Sequence, residues 1–131
     1  MDATDASEGT ARYVFRVHFR IDPSPPAVSV EPAEFETTLF RTADPPGAAG
    51  WLYFRDNLWR GNVGDEAYFR EVAEDALGVP IVSISFSELQ TDRAYLDALR
   101  DAVGAHLDEF RAETVDEALT KYLGSSIRVV D

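Results

Sequence analysis

The residues best suited to bind another molecule lie in one short stretch of the chain. Its polar and aromatic side chains are Arg55, Asn57, Trp59, Arg60 and Asn62. Tryptophan and arginine are enriched at interaction hot spots. We therefore interpret the Leu58-Trp59-Arg60 loop as a non-enzymatic binding site for a protein partner that the sequence does not identify. The competing interpretation is architectural: Trp59 packs on the core, while Arg60 stacks on it or pairs with an aspartate.

A second hypothesis uses the same loop for a small ligand. Residues 57–64 lead into a helix that we predict to begin after Asp65, and the first turn of a helix presents free N–H groups and a positive partial charge. Arg60, with Asn57 and Asn62, would complete a pocket for an anion or a nucleotide. The glycines at 61 and 64 form no phosphate-binding fingerprint, because no Walker lysine follows them. Small-molecule or nucleotide binding is therefore an alternative that no known phosphate-binding motif supports.

One face of the first predicted strand is the most basic part of the sequence. Its basic side chains are Arg12, Arg16, His18 and Arg20. A sheet face lined with arginine and flanked by aromatic residues can bind RNA through phosphate contacts and base stacking. Cross-strand pairing with Glu34 and Glu36 explains the same charges without a ligand. We expect this pairing rather than nucleic acid binding, which stays a third hypothesis.

No combination of residues indicates catalysis, a metal or a cofactor. The chain has no cysteine, which excludes thiol catalysis, and its two histidines, His18 and His106, are far apart in sequence. The carboxylates offer no distinctive pair for acid–base catalysis. Ser83, Ser85 and Ser87 alternate as the polar face of a strand would. We predict no catalytic residue, no metal site and no cofactor, and lean towards a protein that is not an enzyme.

The hydrophobic pattern indicates which elements must position these residues. Apolar residues alternate with period two in predicted strands and recur every three to four residues in predicted helices. The expected order is β-β-β-α-β-α-α with a possible final strand: strands at 12–21, 34–42, 51–55 and 81–86, helices at 66–77, 92–111 and 115–123, and a last strand at 127–129. Asp65 and Thr114 are expected helix N-caps, and Gly78 is an expected helix end.

This order of elements predicts the fold class. Three strands before the first helix favour an antiparallel meander, so we expect an α+β fold with a mainly antiparallel sheet and helices packed on one face. In the fourth strand, Val82, Ile84 and Phe86 are expected to point inward. Residues 1–10 are expected to form a disordered acidic tail, and residues 11–131 a single α+β domain.

Two stretches of the chain resemble a known family. Arg55 to Asn62 contains the Leu-Trp-Arg tripeptide, and Lys121 to Ser126 reads Lys-Tyr-Leu-Gly-Ser-Ser. Together with the acidity and the order of segments, they resemble the haloarchaeal LWR-salt family, over roughly Tyr13 to Val129. The resemblance implies a haloarchaeal source. It implies no activity and no catalytic residue.

The charge composition indicates adaptation to a salt-rich solvent rather than the binding of a particular target. The net charge is −12, and eleven of the twelve basic residues are arginine. An acidic surface with almost no lysine suits a cytosol holding molar salt, where the Debye length falls to about 3 Å and carboxylates repel one another little. An acidic protein from a GC-rich genome would show a similar bias. No apolar run reaches the ~20 residues of a membrane span, and residues 1–10 lack the pattern of a signal peptide. We therefore expect a cytoplasmic protein without membrane contact and leave its oligomeric state open.

Overall fold

The computed structural model describes residues 9–21, 27–29, 31 and 33–130. The predicted acidic tail, residues 1–10, lies outside the described residues except for Gly9 and Thr10. Thr10 is held in place, because its backbone N–H donates to the Asp92 carboxylate at 2.9 Å.

A four-stranded sheet forms the centre of the fold. Strand β1 (Ala11–Arg20) pairs antiparallel with β2 (Glu34–Thr42) on one side and with β5 (Ile81–Thr91) on the other. The predicted last strand is confirmed as β6 (Ile127–Val129), which pairs parallel with β5 and gives the order β2-β1-β5-β6. The α+β class and the mainly antiparallel sheet are therefore confirmed.

The two faces of the sheet differ as the alternation in β1 predicts. Tyr13, Phe15 and Val17 are buried on the face that carries the helices. Arg16 and Arg20 are exposed on the other face. Side chains on alternate residues of a strand point to opposite faces, so this strand separates a core face from an open face.

Strand β5 corrects one expectation about which side chains point inward. Val82 is 42% exposed, whereas Ile81, Ile84 and Phe86 are buried. The pairing register with β1 shifts beside Val82 and again beside Ser87. Each irregularity places one extra residue in β5, which changes the face that the following side chains occupy.

The predicted third strand, residues 51–55, is wrong. The structure has a short helix, α1 (Tyr53–Asn57), followed by a small hairpin of β3 (Leu58–Trp59) and β4 (Asn62–Val63). Trp51, Phe54 and Leu58 are all buried. Their spacing of three and four residues places them on one side of a helical turn, whereas a strand would send Trp51 and Phe54 to opposite faces. Burial of these side chains outweighs the strand preference of an aromatic segment.

The helices begin and end largely where the sequence predicts. Helix α2 (Glu66–Leu77) is capped by Asp65, whose side chain accepts from the Tyr68 N–H, and it ends at Gly78 in the left-handed conformation. Helix α5 (Val115–Leu123) is capped by Thr114 in the same manner. Both N-caps and the glycine end are therefore confirmed.

The predicted helix at 92–111 is two helices. Helix α3 (Arg93–Ala105) is capped by Asp92, and α4 (Leu107–Phe110) follows after a break at His106. The backbone of His106 leaves the helical conformation, with φ −134° and ψ 34°. The break turns Phe110 into the core, where it is fully buried and stacks on Phe54 with ring centroids 5.6 Å apart.

Buried tyrosines make the fold sensitive to alkaline pH. Burial raises the pKa of Tyr13 and of Tyr95 far above the usual value, because it disfavours the phenolate. The Tyr95 hydroxyl also donates to the Asp44 carbonyl at 2.6 Å. Because the pKa of each tyrosine is raised in the folded state, its contribution to the free energy of unfolding is complete below pH ~10, which is the tyrosine pKa in the unfolded chain. That contribution is lost as the pH rises above this value.

We expect the free energy of unfolding to fall by about 1.4 kcal/mol per pH unit above pH ~10 for each tyrosine that stays protonated in the folded chain. Chemical denaturation at a series of alkaline pH values measures this slope. Tyr13→Phe should show a shallower slope than the wild type. An unchanged slope in Tyr13→Phe would contradict the assignment of Tyr13 to this effect.

Candidate functional site

The candidate site begins with a tight hairpin turn. Trp59 pairs with Asn62 across β3 and β4, so Arg60 and Gly61 form a two-residue turn. Their φ angles are 53° and 81°. A type I′ turn requires positive φ at both central residues, because only this twist matches that of the two strands. The Leu-Trp-Arg tripeptide is therefore half of a β-hairpin, with its arginine at the tip.

The hairpin tip binds the C-terminal end of α5. The backbone N–H of Arg60 donates to the Lys121 carbonyl at 2.8 Å, and that of Gly61 donates to the Tyr122 carbonyl at 3.0 Å. The last carbonyls of a helix have no partner within the helix, and a helix end needs such groups to be satisfied. The turn thus caps a helix that lies some sixty residues later in the chain.

Two glycines make this close approach possible. A Cβ on Gly61 would lie 3.2 Å from the Leu123 carbonyl oxygen, and a Cβ on Gly124 would lie 3.2 Å from the Arg60 carbonyl oxygen. Gly124 also has φ 65° with ψ −144°, a conformation that essentially only glycine adopts. The two backbones can therefore pack against each other only where neither carries a side chain.

Trp59 and Arg60 point their side chains outward from this rigid base. The Trp59 side chain is 46% exposed and meets the Tyr122 ring edge-on at 5.7 Å between centroids. The Arg60 guanidinium lies 5.6 Å from the Trp59 ring. Within the described part of the chain, no hydrogen bond or ion pair engages that guanidinium. Half of the indole is packed and half is available to another molecule.

These two side chains border an open groove along α5. Its volume is about 670 Å³, and its other lining residues are Asp116, Glu117, Thr120, Lys121 and Gly124. Asp116 pairs with Arg100 at 2.8 Å, and the Lys121 ammonium donates to the carbonyls of Phe110 and Arg111. Arg60 is thus the cation of this groove whose N–H donors no described group engages.

The other predicted site residues serve the architecture of the loop. Arg55 pairs with Asp56 at 2.9 Å and with Glu109 at 3.4 Å. The Asn57 amide donates to the Tyr53 carbonyl at 3.0 Å, and the Asn62 amide lies 3.5 Å from the Arg60 carbonyl. The structure therefore places all five candidates in one region, where the side chains of Arg55, Asn57 and Asn62 contact the loop itself and its neighbours, and those of Trp59 and Arg60 face the groove.

The start of α2 does not share the groove of Arg60. The groove is formed by α5, and the Asp65 carboxylate already accepts from the N–H of Tyr68 in the first turn of α2. Glu66 adds a second negative charge at that helix end. Two carboxylates at a helix N-terminus oppose the binding of an anion there. The geometry gives the anion hypothesis at residues 57–64 no support.

Cross-strand pairing accounts for two of the basic groups on the open sheet face. Arg20 pairs with Glu34 at 2.8 Å, and the His18 ring lies 2.7 Å from the Glu36 carboxylate. Arg16 lies opposite Thr38 of β2 and Ser85 of β5, where no carboxylate is in register. The expected pairing is confirmed for Arg20 and His18 and is not found for Arg16.

Among the described residues, no group of three or more potential ligands, counting histidine, cysteine, aspartate and glutamate, is arranged to hold a metal ion. Within the same ranges, no helix has the length and hydrophobicity that a membrane span requires.

Comparison with known proteins identifies a family. Residues 9–131 match the family described as LWR-salt protein. The chain belongs to the LWR-salt family. No curated protein and no solved structure matches it. In this LWR-salt protein, the two stretches that carried the resemblance, residues 55–62 and 121–126, are the two sides of the hairpin–helix contact.

The sequence identified the exposed pair but not the contact that holds it. An Arg-Gly pair between Trp59 and Asn62 is compatible with a two-residue hairpin turn, and this was the available signal. The hydrogen bonds to Lys121 and Tyr122 join distant parts of the chain, and no local pattern reports them.

Proposed function

We propose that this LWR-salt protein is a non-enzymatic interaction module that binds a partner protein through the surface of Trp59 and Arg60. The conformation of Arg60 carries the proposal. Its φ of 53° is strained for a residue with a side chain, and asparagine or glycine suits that turn position better. Backbone strain of this kind clusters at functional sites such as ligand clamps.

The second non-glycine residue with positive φ has an ordinary explanation. Arg111 has φ 51° and ends α4 as its C-cap, where a left-handed residue is common. Arg60 instead stands at the tip of a hairpin beside a half-exposed indole. The unusual feature is therefore the combination of strain, free charge and exposed aromatic surface at one point.

The chemistry of the groove indicates what the partner presents. A carboxylate can pair with the unneutralised Arg60 guanidinium, and an apolar side chain can cover the Trp59 ring. The nearby ammonium of Lys121 is held by two backbone carbonyls, so the guanidinium of Arg60 is the more accessible donor group of the groove. We infer that the partner segment carries an acidic residue next to an apolar one.

Replacing Arg60 with asparagine should separate binding from folding. Asn-Gly is the favoured sequence of a type I′ turn, so Arg60→Asn should leave the free energy of unfolding unchanged or slightly higher. The same change removes the guanidinium, so recovery of the partner should fall at least tenfold. Affinity capture from lysate of the source organism, quantified by mass spectrometry, measures that recovery.

Arg16→Gln is the matched control, because Arg16 is also exposed and lies on the open sheet face. It should recover the same partner as the wild type. A partner retained by Arg60→Asn would contradict the proposal, and a loss of stability in that variant would assign Arg60 to the architecture.

We also propose that the net charge of −12 is an adaptation to the cytoplasm of a halophilic archaeon. Repulsion between carboxylates is screened as the Debye length falls from about 10 Å at 0.1 M salt to about 3 Å at 1 M. We expect the melting temperature to rise substantially from 0.1 M to 2 M KCl. A melting temperature that is independent of KCl would refute this proposal and leave the binding proposal standing.

A further inference from the structure

A second cavity lies on the core side of the sheet, away from the groove of Trp59. It occupies about 390 Å³ between the inner surface of β1 and β2, helix α2 and the end of α1. Its apolar lining includes Phe15, Leu39, Phe69, Val72, Ala76 and Ile84. Cavities of ~300–1,000 Å³ with mostly apolar walls are typical of small-molecule sites.

Helix α2 directs a second apolar stripe towards this cavity. Phe69 and Ala73 form the buried stripe of the helix. Tyr68, Val72 and Ala76 follow one another at intervals of four residues and line the cavity. Tyr68 is 52% exposed and Val72 is 45% exposed. Apolar side chains left exposed along one cavity indicate a surface that a ligand can cover.

Arg41 supplies the charge at this cavity. Its guanidinium lies 4.3 Å from the centroid of the Tyr53 ring, and both residues line the cavity. Among the residues that the structure describes, no carboxylate pairs with Arg41. The aromatic contact fixes the guanidinium and leaves its planar fork of N–H donors available, which matches a carboxylate in bidentate geometry.

We propose that this cavity binds a small monocarboxylate with an apolar tail, whose carboxylate pairs with Arg41 and whose tail lies between α2 and β2. Arg41 is the one charged residue among the described residues that line the cavity, so a second negative charge on the ligand would find no partner there. A ligand with several negative charges is therefore disfavoured. A ligand with a single carboxylate forms one ion pair with Arg41 and buries its apolar tail.

Isothermal titration with straight-chain carboxylates tests the proposal. Hexanoate, octanoate and decanoate are titrated at fixed salt below their micelle concentrations. Each added methylene should strengthen binding about fourfold, from ~0.8 kcal/mol per buried CH₂, until the cavity is filled. Octanamide, which has the same tail without the charge, should bind at least tenfold more weakly than octanoate.

Two variants locate the site. Arg41→Gln should weaken octanoate binding at least tenfold and remove the preference over octanamide, whereas Arg16→Gln should change neither. Val72→Glu should abolish binding, whereas Val82→Glu, at a similarly exposed valine on β5, should not. Each variant is first checked for an unchanged circular dichroism spectrum.

Three outcomes would overturn the proposal. The first is no detectable heat for any of the carboxylates at millimolar concentration. The second is octanoate binding that Arg41→Gln leaves intact. The third is a dimer of the wild type that Val72→Glu dissociates, because the apolar stripe would then belong to an interface between two copies.

Discussion

Trp51→Ala is expected to lower the free energy of unfolding by about 3–5 kcal/mol, the usual effect of removing a large buried aromatic side chain. The Trp51 side chain is only 8% exposed. It meets the rings of Phe110 and His106 edge-on, with centroids 5.9 Å and 5.7 Å away. Its loss opens a cavity beside the break between α3 and α4. Urea denaturation of the purified variant measures the change.

The second tryptophan of the chain provides the matched control. Trp59 is 46% exposed, so Trp59→Ala is expected to cost only about 1–2 kcal/mol. The same denaturation experiment compares the two variants. Equal losses would show that Trp59 is a core residue, and the proposed interaction surface would then lack its aromatic component.

Gly61→Ala is expected to cost about 2–3 kcal/mol and to loosen the hairpin from α5. One part of this cost is the positive φ of 81°, which disfavours a residue with a Cβ by ~1–2 kcal/mol. The other part is the contact of that Cβ with the Leu123 carbonyl oxygen at 3.2 Å. This oxygen belongs to the backbone at the end of α5, so it cannot move aside as a flexible side chain would.

Gly78→Ala separates the two parts of that cost. Gly78 has a similar φ of 72°, and no atom lies within 4 Å of the position that its Cβ would take. We expect a loss of about 1 kcal/mol for this variant, from backbone strain alone. Thermal and urea unfolding of both variants provide the comparison. Equal losses for Gly61→Ala and Gly78→Ala would contradict a tight hairpin–helix contact.

The predictions were most accurate for segments whose sequence shows both a regular hydrophobic periodicity and a capping residue. In β1, apolar and polar residues alternate along the sequence, so the sequence alone predicts which face is buried and which is exposed. Asp65 and Thr114 cap their helices through side chains only three residues from the N–H groups that they bind. Such local signals depend little on the rest of the chain.

The errors occurred where distant contacts outweighed local preference. Residues 51–55 have the composition of a strand, but Trp51 and Phe54 both pack against Phe110 of a helix that comes much later. The alternation of residues 81–86 predicts that Val82 points inward. The register shift of β5 against β1 beside Val82, which the sequence does not show, changes the face that its side chain occupies. A hydrophobic pattern predicts that side chains are buried, but it does not predict which residues pack against them.

Only part of the two proposed binding sites could be predicted. Trp59 and Arg60 stand out by residue type, since a tryptophan beside an arginine is a recognisable hot-spot pair. Arg41 gives no such signal, because it is one arginine at the end of a strand. Its role follows from the Tyr53 ring beneath it and from the exposed stripe of α2 across the cavity.

The sequence by itself determined the α+β class, the limits of most helices, the basic face of β1 and the Trp-Arg pair as a candidate site. Only the tertiary structure showed that the tip of the hairpin caps α5 and that Gly61 and Gly124 permit this contact. The reason is physical. Periodicity and caps arise from interactions between residues a few positions apart, whereas the contact joins two backbones some sixty residues apart, whose approach depends on how the whole core packs.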